Sequence, residues 1–253
     1  MEEILLVAIV FIFGIVVGSF LNVLIYRIPN GENIAFPASK CQSCQTPLKW
    51  WHNIPIVSWI ILGGRCHFCK EKISMQYPLI EFATGMIAII LFLKLGLVWY
   101  LPIVFMVFVL LFALVMIDFK YMAVPDSLNL LALALAIINP HVIESIQYAL
   151  MASGGLALLR YYLSYFLNRE AMGEGDIIVA GTMGALLGFP LFFYALFLSA
   201  ILAIIPSLIA TYTREDKAVP FVPFLAIATF IVYVADKQFM QLAEWIMYGK
   251  ALG

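Results

Sequence analysis

The sequence predicts an all-α polytopic membrane protein of about eight transmembrane helices, with a small cytoplasmic loop domain held by metal between the first two. Three observations carry this reading. The 253 residues are 64% hydrophobic and only 11% charged, whereas soluble domains have about 45–50% apolar and roughly 25% charged residues. The apolar residues gather into runs long enough to cross a bilayer, whose ~30 Å hydrocarbon core takes about 20 helical residues. The third is a single polar interval, 26–77, that holds all four cysteines and six of the fourteen basic residues.

The first run, 4–25, follows an acidic start, Met1-Glu2-Glu3, and ends with no small-residue cleavage site. It therefore reads as a permanent helix and not a secretory signal. Its Gly14 and Gly18 have the G-x-x-x-G spacing that lets two helices approach closely. Further spans are predicted at 78–97, 99–117, 127–143, 145–167, 176–190, 191–212 and 220–236, and the tail 237–253 reads as an interfacial helix. The chain thus divides into a first helix (1–25), a cysteine loop (26–77), a membrane domain (78–236) and the tail. No internal repeat or low-complexity segment is visible. The net charge of −1 gives no electrostatic footprint for nucleic acid.

Orientation follows from the basic residues. Arg27, Lys40, Lys49, Arg65, Lys70 and Lys72 lie in the interval 26–77, and alternate loops beyond it carry Lys120, Arg169, Arg214 and Lys217. The opposite loops and the tail have Lys94, Lys237 and Lys250. This places 26–77 in the cytoplasm and both termini outside.

That placement decides the cysteine chemistry, because thiols in a reducing compartment rarely form lasting disulfides. Cys41 and Cys44 form one C-x-x-C pair, and Cys66 and Cys69 another, with 21 residues between. The spacing suits a structural, tetrahedral Cys₄ Zn²⁺ site, and Gly63 and Gly64 give the chain freedom to turn before Cys66. A loop of this size with few core residues needs such a staple. The competing reading, a redox pair that shuttles disulfides, wants the cysteines near the outer face. His52 and His67 read as loop residues, since four thiolates already fill the shell. Trp50, Trp51 and Trp59 read as interfacial anchors or loop core.

Ionisable residues in membrane helices are costly and mark function. The candidates are Glu81, Asp118, Asp126, Arg160, Asp176 and Asp236. Asp118 closes the third run, and Asp176 ends the stretch Gly173-Glu174-Gly175-Asp176 and opens the sixth. Both fall at the cytoplasmic side, so carboxylates from two helices can meet there. Two carboxyls a few Å apart share a proton and titrate as a pair. Such a pair can hydrolyse a peptide bond, one member drawing a proton from water and the other polarising the carbonyl. Gly173 and Gly175 let the backbone pass close to a substrate strand or the partner aspartate. Asp176 could instead cap a helix, and Asp118 could be a cap or an interfacial charge paired with Lys120. Asp126 follows Pro125 where an N-cap is expected. Glu81 could hold an arginine or a substrate amine, Arg160 should pair with a carboxylate or snorkel, and Asp236 should face water.

Taken in order, "GSFLNVLIYRIP" (18–29), the two C-x-x-C pairs, "WWHNIPIVSW", "GGRC", "ISMQYPLIE", Asp118 with "VPD", "GEGD" and "VPFVPFLA" resemble the bacterial type IV prepilin peptidases over nearly the whole chain. The resemblance implies a G-x-G-D aspartyl intramembrane protease fold with Asp118 and Asp176 as catalytic residues. It implies cytoplasmic removal of a short basic leader from prepilins and type II secretion pseudopilins, at an enzyme of the inner membrane. It also implies N-methylation of the new terminal amine with S-adenosylmethionine, the zinc loop gripping the leader or holding the methyl donor. The chain has Val222 where the family's carboxy-terminal motif has Gly, and no glycine-rich nucleotide loop marks donor residues. Two other classes use similar parts. A proton-coupled transporter would place its carboxylates nearer the membrane midplane, and a thiol oxidoreductase would place its cysteine pairs at the outer face.

Overall fold

The computed structural model describes residues 2–168, 172–212 and 220–249. Arg169, Arg214, Lys217 and Lys250, used above for orientation, lie outside the described residues. The described chain is helical, with two isolated bridges, Lys40–Pro47 and Arg65–Lys72, in the cysteine loop. Its helices are α1 (Glu2–Arg27), α2 (Val57–Ile61), α3 (Gln76–Leu95), α4 (Leu101–Tyr121), α5 (Asp126–Ile137), α6 (Val142–Leu167), α7 (Glu174–Leu187), α8 (Leu191–Tyr212), α9 (Val222–Val234) and α10 (Asp236–Tyr248). They form two compact units, Met1–Leu101 and Pro102–Gly253.

Every predicted apolar run holds a helix, but among the described residues fewer helices than expected are long and apolar enough to span by themselves. Five are long and apolar enough (α1, α3, α4, α6 and α8), or six if α9 and α10, which meet at an 85° bend, count as one broken span. The runs at 127–143, 176–190 and 220–236 hold helices of 12, 14 and 13 residues. At 1.5 Å per residue these measure roughly 18–21 Å, short of the ~30 Å core. The reason is local. Asn139-Pro140 breaks the first run, Gly188 with φ +64° ends the second, and Ala235 ends the third. Unbroken hydropathy is not unbroken helix.

In the first unit α1 and α3 form a close pair. A Cβ on Gly14 would stand 2.7 Å from the Gly85 Cα, and one on Gly18 would stand 2.8 Å from the Glu81 Cα. The glycine spacing therefore serves helix contact, as expected. Asn22 in α1 donates to the carbonyl of Tyr77 at 3.2 Å. At the end of α1, Arg27 donates to the carbonyls of Asn33, Ile34 and Pro37, which folds the start of the loop back onto the helix.

In the second unit α4 is the core helix. Two-thirds of its spanning window is buried, against about a fifth for α6 and α8. Phe108 of α4 packs edge-on against Phe230 and Tyr233 of α9. Helices α6 and α7 approach through small residues, since a Cβ on Gly184 would stand 2.5 Å from the Tyr148 carbonyl oxygen. Lipid provides no hydrophobic drive between helices, so such close backbone packing is what holds them.

Candidate active site

The second unit brings Asp118 and Asp176 together. Asp118 sits in the last turn of α4 with 5% of its surface exposed. It is therefore a buried carboxyl and not an interfacial charge. The chain leaves α4 through Met122 in the left-handed region (φ +51°). Asp176 lies in the first turn of α7, 7% exposed. The two carboxylates lie within electrostatic reach of one another.

Each carboxylate meets the amino end of a helix, where backbone N–H groups lack partners and the helix dipole favours negative charge. The Gly173 N–H donates to Asp176 Oδ2 at 3.1 Å, the reciprocal half of a capping box. The capping reading of Asp176 is thus realised through one oxygen of a residue that also faces Asp118. Asp118 faces the backbone N–H of Val222, the first residue of α9. This accounts for Val222 at a position where the resemblance has glycine, because the contact comes from the backbone and any residue but proline supplies it.

The G-E-G-D segment is fixed from three sides. A Cβ on Gly175 would stand 2.7 Å from the Val124 Cβ, so the glycine serves close packing against the loop after α4. The Gly175 carbonyl accepts a hydrogen bond from Asn129 Nδ2 at 2.9 Å. Glu174 pairs with Arg160 at 3.2 Å, the glutamate exposed and the arginine largely covered, which gives Arg160 its carboxylate. Asn129 was not foreseen. Its signal in the sequence is an amide among the apolar residues of "SLNLLALALAI", one turn after Asp126. It is fully buried, and its Oδ1 has no hydrogen-bond partner. Asp126 departs from expectation. Pro125 takes the N-cap place, and Asp126 is the first helical residue, exposed and making no capping hydrogen bond. Asp236 opens α10 and accepts the Lys237 N–H.

The first unit gathers Cys41, Cys44, Cys66 and Cys69, with their sulfurs all within 4.8 Å of one another. The Cys41–Cys69 separation is 3.8 Å. Four thiolates at a Zn–S distance of about 2.3 Å stand about 3.8 Å apart in a tetrahedron, so the cluster fits Zn²⁺. The two knuckles repeat one geometry. Cys41 N–H donates to the Thr46 carbonyl as Cys66 N–H does to Glu71. The carbonyls of Cys41 and Cys66 accept from Gln45 and Lys70, and these two residues have φ of +56° and +61°. Hydrogen bonding with the Thr46 side chain and backbone lowers the Cys44 thiol to about 6. At Cys69 the Glu71 backbone is outweighed by burial and the neighbouring thiols, which push the thiol up to about 11. A bound cation would draw all four towards the thiolate. Gly63 and Gly64 have positive φ, as the turn before Cys66 requires. Trp59 packs against Gly64 and donates to the Ile73 carbonyl, so it is loop core, whereas Trp50 and Trp51 are exposed. His52 and His67 stack on one another and stand outside the sulfur cluster.

Residues 12–95 match the Bacterial Peptidase A24 N-terminal domain, and residues 103–208 match the Type IV leader peptidase family. Relatives of the chain carry the name prepilin leader peptidase/N-methyltransferase. The protein of Stutzerimonas stutzeri is 30% identical over 90% of each chain. That of Pseudomonas aeruginosa is 30% identical over 89% of each, and that of Neisseria gonorrhoeae is 27% identical over 92% of each. No solved structure matches the chain. The multi-pass helices, the paired aspartates and a likeness that runs nearly end to end lead to one conclusion: the chain belongs to the type IV leader peptidase family.

Proposed function

We propose that this protein is a bifunctional membrane enzyme that removes the leader from prepilins and pseudopilins and then N-methylates the new terminus. The observation that carries the cleavage half is the pair of buried carboxyls, Asp118 and Asp176, each set against a helix amino end. One carboxylate takes a proton from water as the water oxygen attacks the scissile carbonyl carbon. The protonated partner gives its proton to the carbonyl oxygen. When the tetrahedral intermediate collapses, the C–N bond breaks and the leaving amine takes up a proton, which returns the pair to its shared-proton state. Asn129 and the close packing at Gly175 hold the loop that carries Asp176.

On the positive-inside reading the cysteine loop and Asp118 lie at the cytoplasmic side of the inner membrane, and Asp176, within electrostatic reach of Asp118, lies on the same side, with the 12-residue α5 crossing between α4 and α6. A prepilin with an apolar helix and a charged leader would present its cut site there. Cys41, Cys44, Cys66 and Cys69 would hold Zn²⁺ as a structural staple for the loop. The methylation half rests on the relatives' name. S-adenosylmethionine would supply an electrophilic methyl group for the new terminal amine. The cysteine positions on the cytoplasmic side oppose the disulfide-shuttle reading, and carboxylates at helix ends instead of midplane breaks oppose the transporter.

The test is a prepilin-processing assay in membranes, read by mass spectrometry of the product's amino terminus. It is run on wild type and Asp176→Asn, with and without S-adenosylmethionine. Leader loss that needs Asp176, with one methyl added only when the donor is present, is the expected result. Cleavage by Asp176→Asn at the wild-type rate would refute the dyad, and cleavage without methylation would remove the second activity.

A further inference from the structure

Two sets of charged side chains inside the helices lie outside the cleavage chemistry described above. In the first unit Glu81 accepts the Ile56 N–H at 2.7 Å, and Ile56 holds φ +61° there, so this carboxylate ties the cysteine loop to α3. In the second unit Arg160 and Glu174 form a pair beside the aspartates. Arg160 is the one charged residue in the second half of α6, and a charge among such apolar residues is costly and marks function. Both terminal nitrogens of its guanidinium donate to Glu174 Oε1, at 3.2 and 3.3 Å. The Arg160 side chain is 22% exposed and that of Glu174 84%. A pair with one partner in water adds little to stability, so holding the loop does not account for the guanidinium. Its charge is also the less screened of the two.

The pair sits on the turn that carries Asp176. Glu174 opens α7 and Asp176 follows two residues on, about 3 Å further along the helix axis. Arg160 reaches Asp176 electrostatically, as Asp118 of α4 does. The other elements around α7 bring little charge. Asp126 of α5 is exposed, and Glu144 lies at the far end of α6. Lys120 of α4 is exposed and lies over the Tyr121 ring. Helices α8 and α9 have no charged residue, and their Tyr194 and Tyr233 pack on Phe239 and Phe108. The α6 tyrosines near Arg160 (Tyr161, Tyr162 and Tyr165) are exposed. Each aspartate meets one backbone N–H, Gly173 for Asp176 and Val222 for Asp118. Among the described residues the guanidinium is therefore what makes the two carboxyls unequal.

We infer that Arg160 is a positioning residue that keeps the shared proton on Asp118 and leaves Asp176 as the base, with Glu174 tempering its field. This rests on the cleavage half of the function above and assigns its two roles. A cation beside one of two coupled carboxyls favours the ionised form of that one. Asp176 then takes the proton as the water O–H bond breaks and the water oxygen bonds the scissile carbon. Asp118 passes its own proton to the carbonyl oxygen.

The experiment is the pH dependence of prepilin cleavage by the protein in membranes, read as kcat/KM, whose acidic limb reports ionisation of the free enzyme. Arg160→Gln removes the cation, so the base holds its proton more tightly and the limb should move to higher pH. Glu174→Gln removes the opposing charge and should move the limb to lower pH. Each displacement should be about half a pH unit or more. Arg160→Lys keeps the charge and should keep the limb near that of wild type. A merely structural clamp behaves differently: Arg160→Gln and Glu174→Gln break the same bond and would lower the rate alike, with the limb fixed. That result, or an Arg160→Lys limb displaced as far as that of Arg160→Gln, would overturn the inference and leave the dyad standing. A thermal melt accompanies each variant. Should Arg160→Gln unfold, the Glu174→Gln limb decides, because that side chain is exposed: a limb at lower pH supports the inference and an unmoved one overturns it. Wild type that cleaves no prepilin at any pH would overturn the cleavage reading and this inference with it.

Discussion

Replacing Gly175 by alanine should slow leader cleavage by about two orders of magnitude without unfolding the protein. The new Cβ would stand 2.7 Å from the Val124 Cβ and 2.8 and 3.0 Å from its two γ-methyls. Carbon atoms are at ease at about 3.5–4.0 Å, so roughly 1 Å of extra separation must be found. Val124 cannot yield by rotating, because the closest atom is its Cβ, which is fixed to the backbone. The displacement therefore falls on the first turn of α7, and it pulls on the Asn129–Gly175 hydrogen bond of 2.9 Å. Overpacking of this kind costs about 1–3 kcal/mol of stability. The catalytic effect is larger than the stability effect, because Asp176 is the next residue and a misplacement of about 1 Å can cost about 10²-fold in rate. The assay is single-turnover cleavage of a prepilin in membranes, beside a thermal melt of the same preparation. Val124→Gly in the same chain removes all three clashing atoms, so the double variant should cleave faster than Gly175→Ala alone, a coupling that independent sites would not show. Gly175→Ala cleaving at the wild-type rate, or a double variant no better than the single one, would refute the packing argument.

Two further outcomes follow from the same structure. If the proposed zinc site is right, Cys41→Ser should strip the loop of zinc, measured as metal per chain by elemental analysis, and leave residues 26–77 open to limited proteolysis, because metal binding would supply the loop's folding free energy. Retention of a full zinc complement would show that the ligand set is wrong. Asp126→Asn should keep cleavage near wild type, since its carboxylate is exposed and makes no capping bond. It should lose at most about 0.3–1 kcal/mol of helix-dipole stabilisation in a melt, and inactivity with an intact fold would move Asp126 into the active site.

How far the site was legible in the sequence depended on the kind of signal each residue gave. The cysteine knuckles were readable because ligand spacing is local and the metal's geometry is fixed, so four residues in two short motifs determine the cluster. Gly14 and Gly18 were readable for the same reason, since one helical turn sets their common face. Asp118 and Asp176 stood out because a carboxylate in an apolar run is expensive, although their proximity depends on helix packing that no local pattern states. Asn129 and Val222 were missed in their working roles. An amide in a helix carries no cost that flags it, and Val222 acts through a backbone N–H that every residue but proline possesses. Ile56 was hidden more deeply, since positive φ at a β-branched residue runs against its own propensity and is enforced only by the folded loop.

The shortness of α7 and α9, which lowered the count of spanning helices, is also what builds the aspartate pair. A helix that crosses the whole bilayer leaves its unpaired N–H groups at the water interface. A helix of 13 or 14 residues can open inside the protein, where those groups need an acceptor. The described structure supplies one at each: Asp176 receives the Gly173 N–H, and Asp118 faces the Val222 N–H. The carboxyls thus serve the fold as acceptors and, in the proposed mechanism, the reaction as proton carriers, and substitution can separate the two roles. Asp118→Asn keeps a carbonyl oxygen for Val222 and should abolish cleavage with little loss of stability. Asp118→Leu leaves that N–H buried and unsatisfied, and should cost about 1–3 kcal/mol in addition. Equal melts for the two variants would mean that Asp118 does not satisfy the α9 terminus, and that the short helix is held open by something other than this carboxyl.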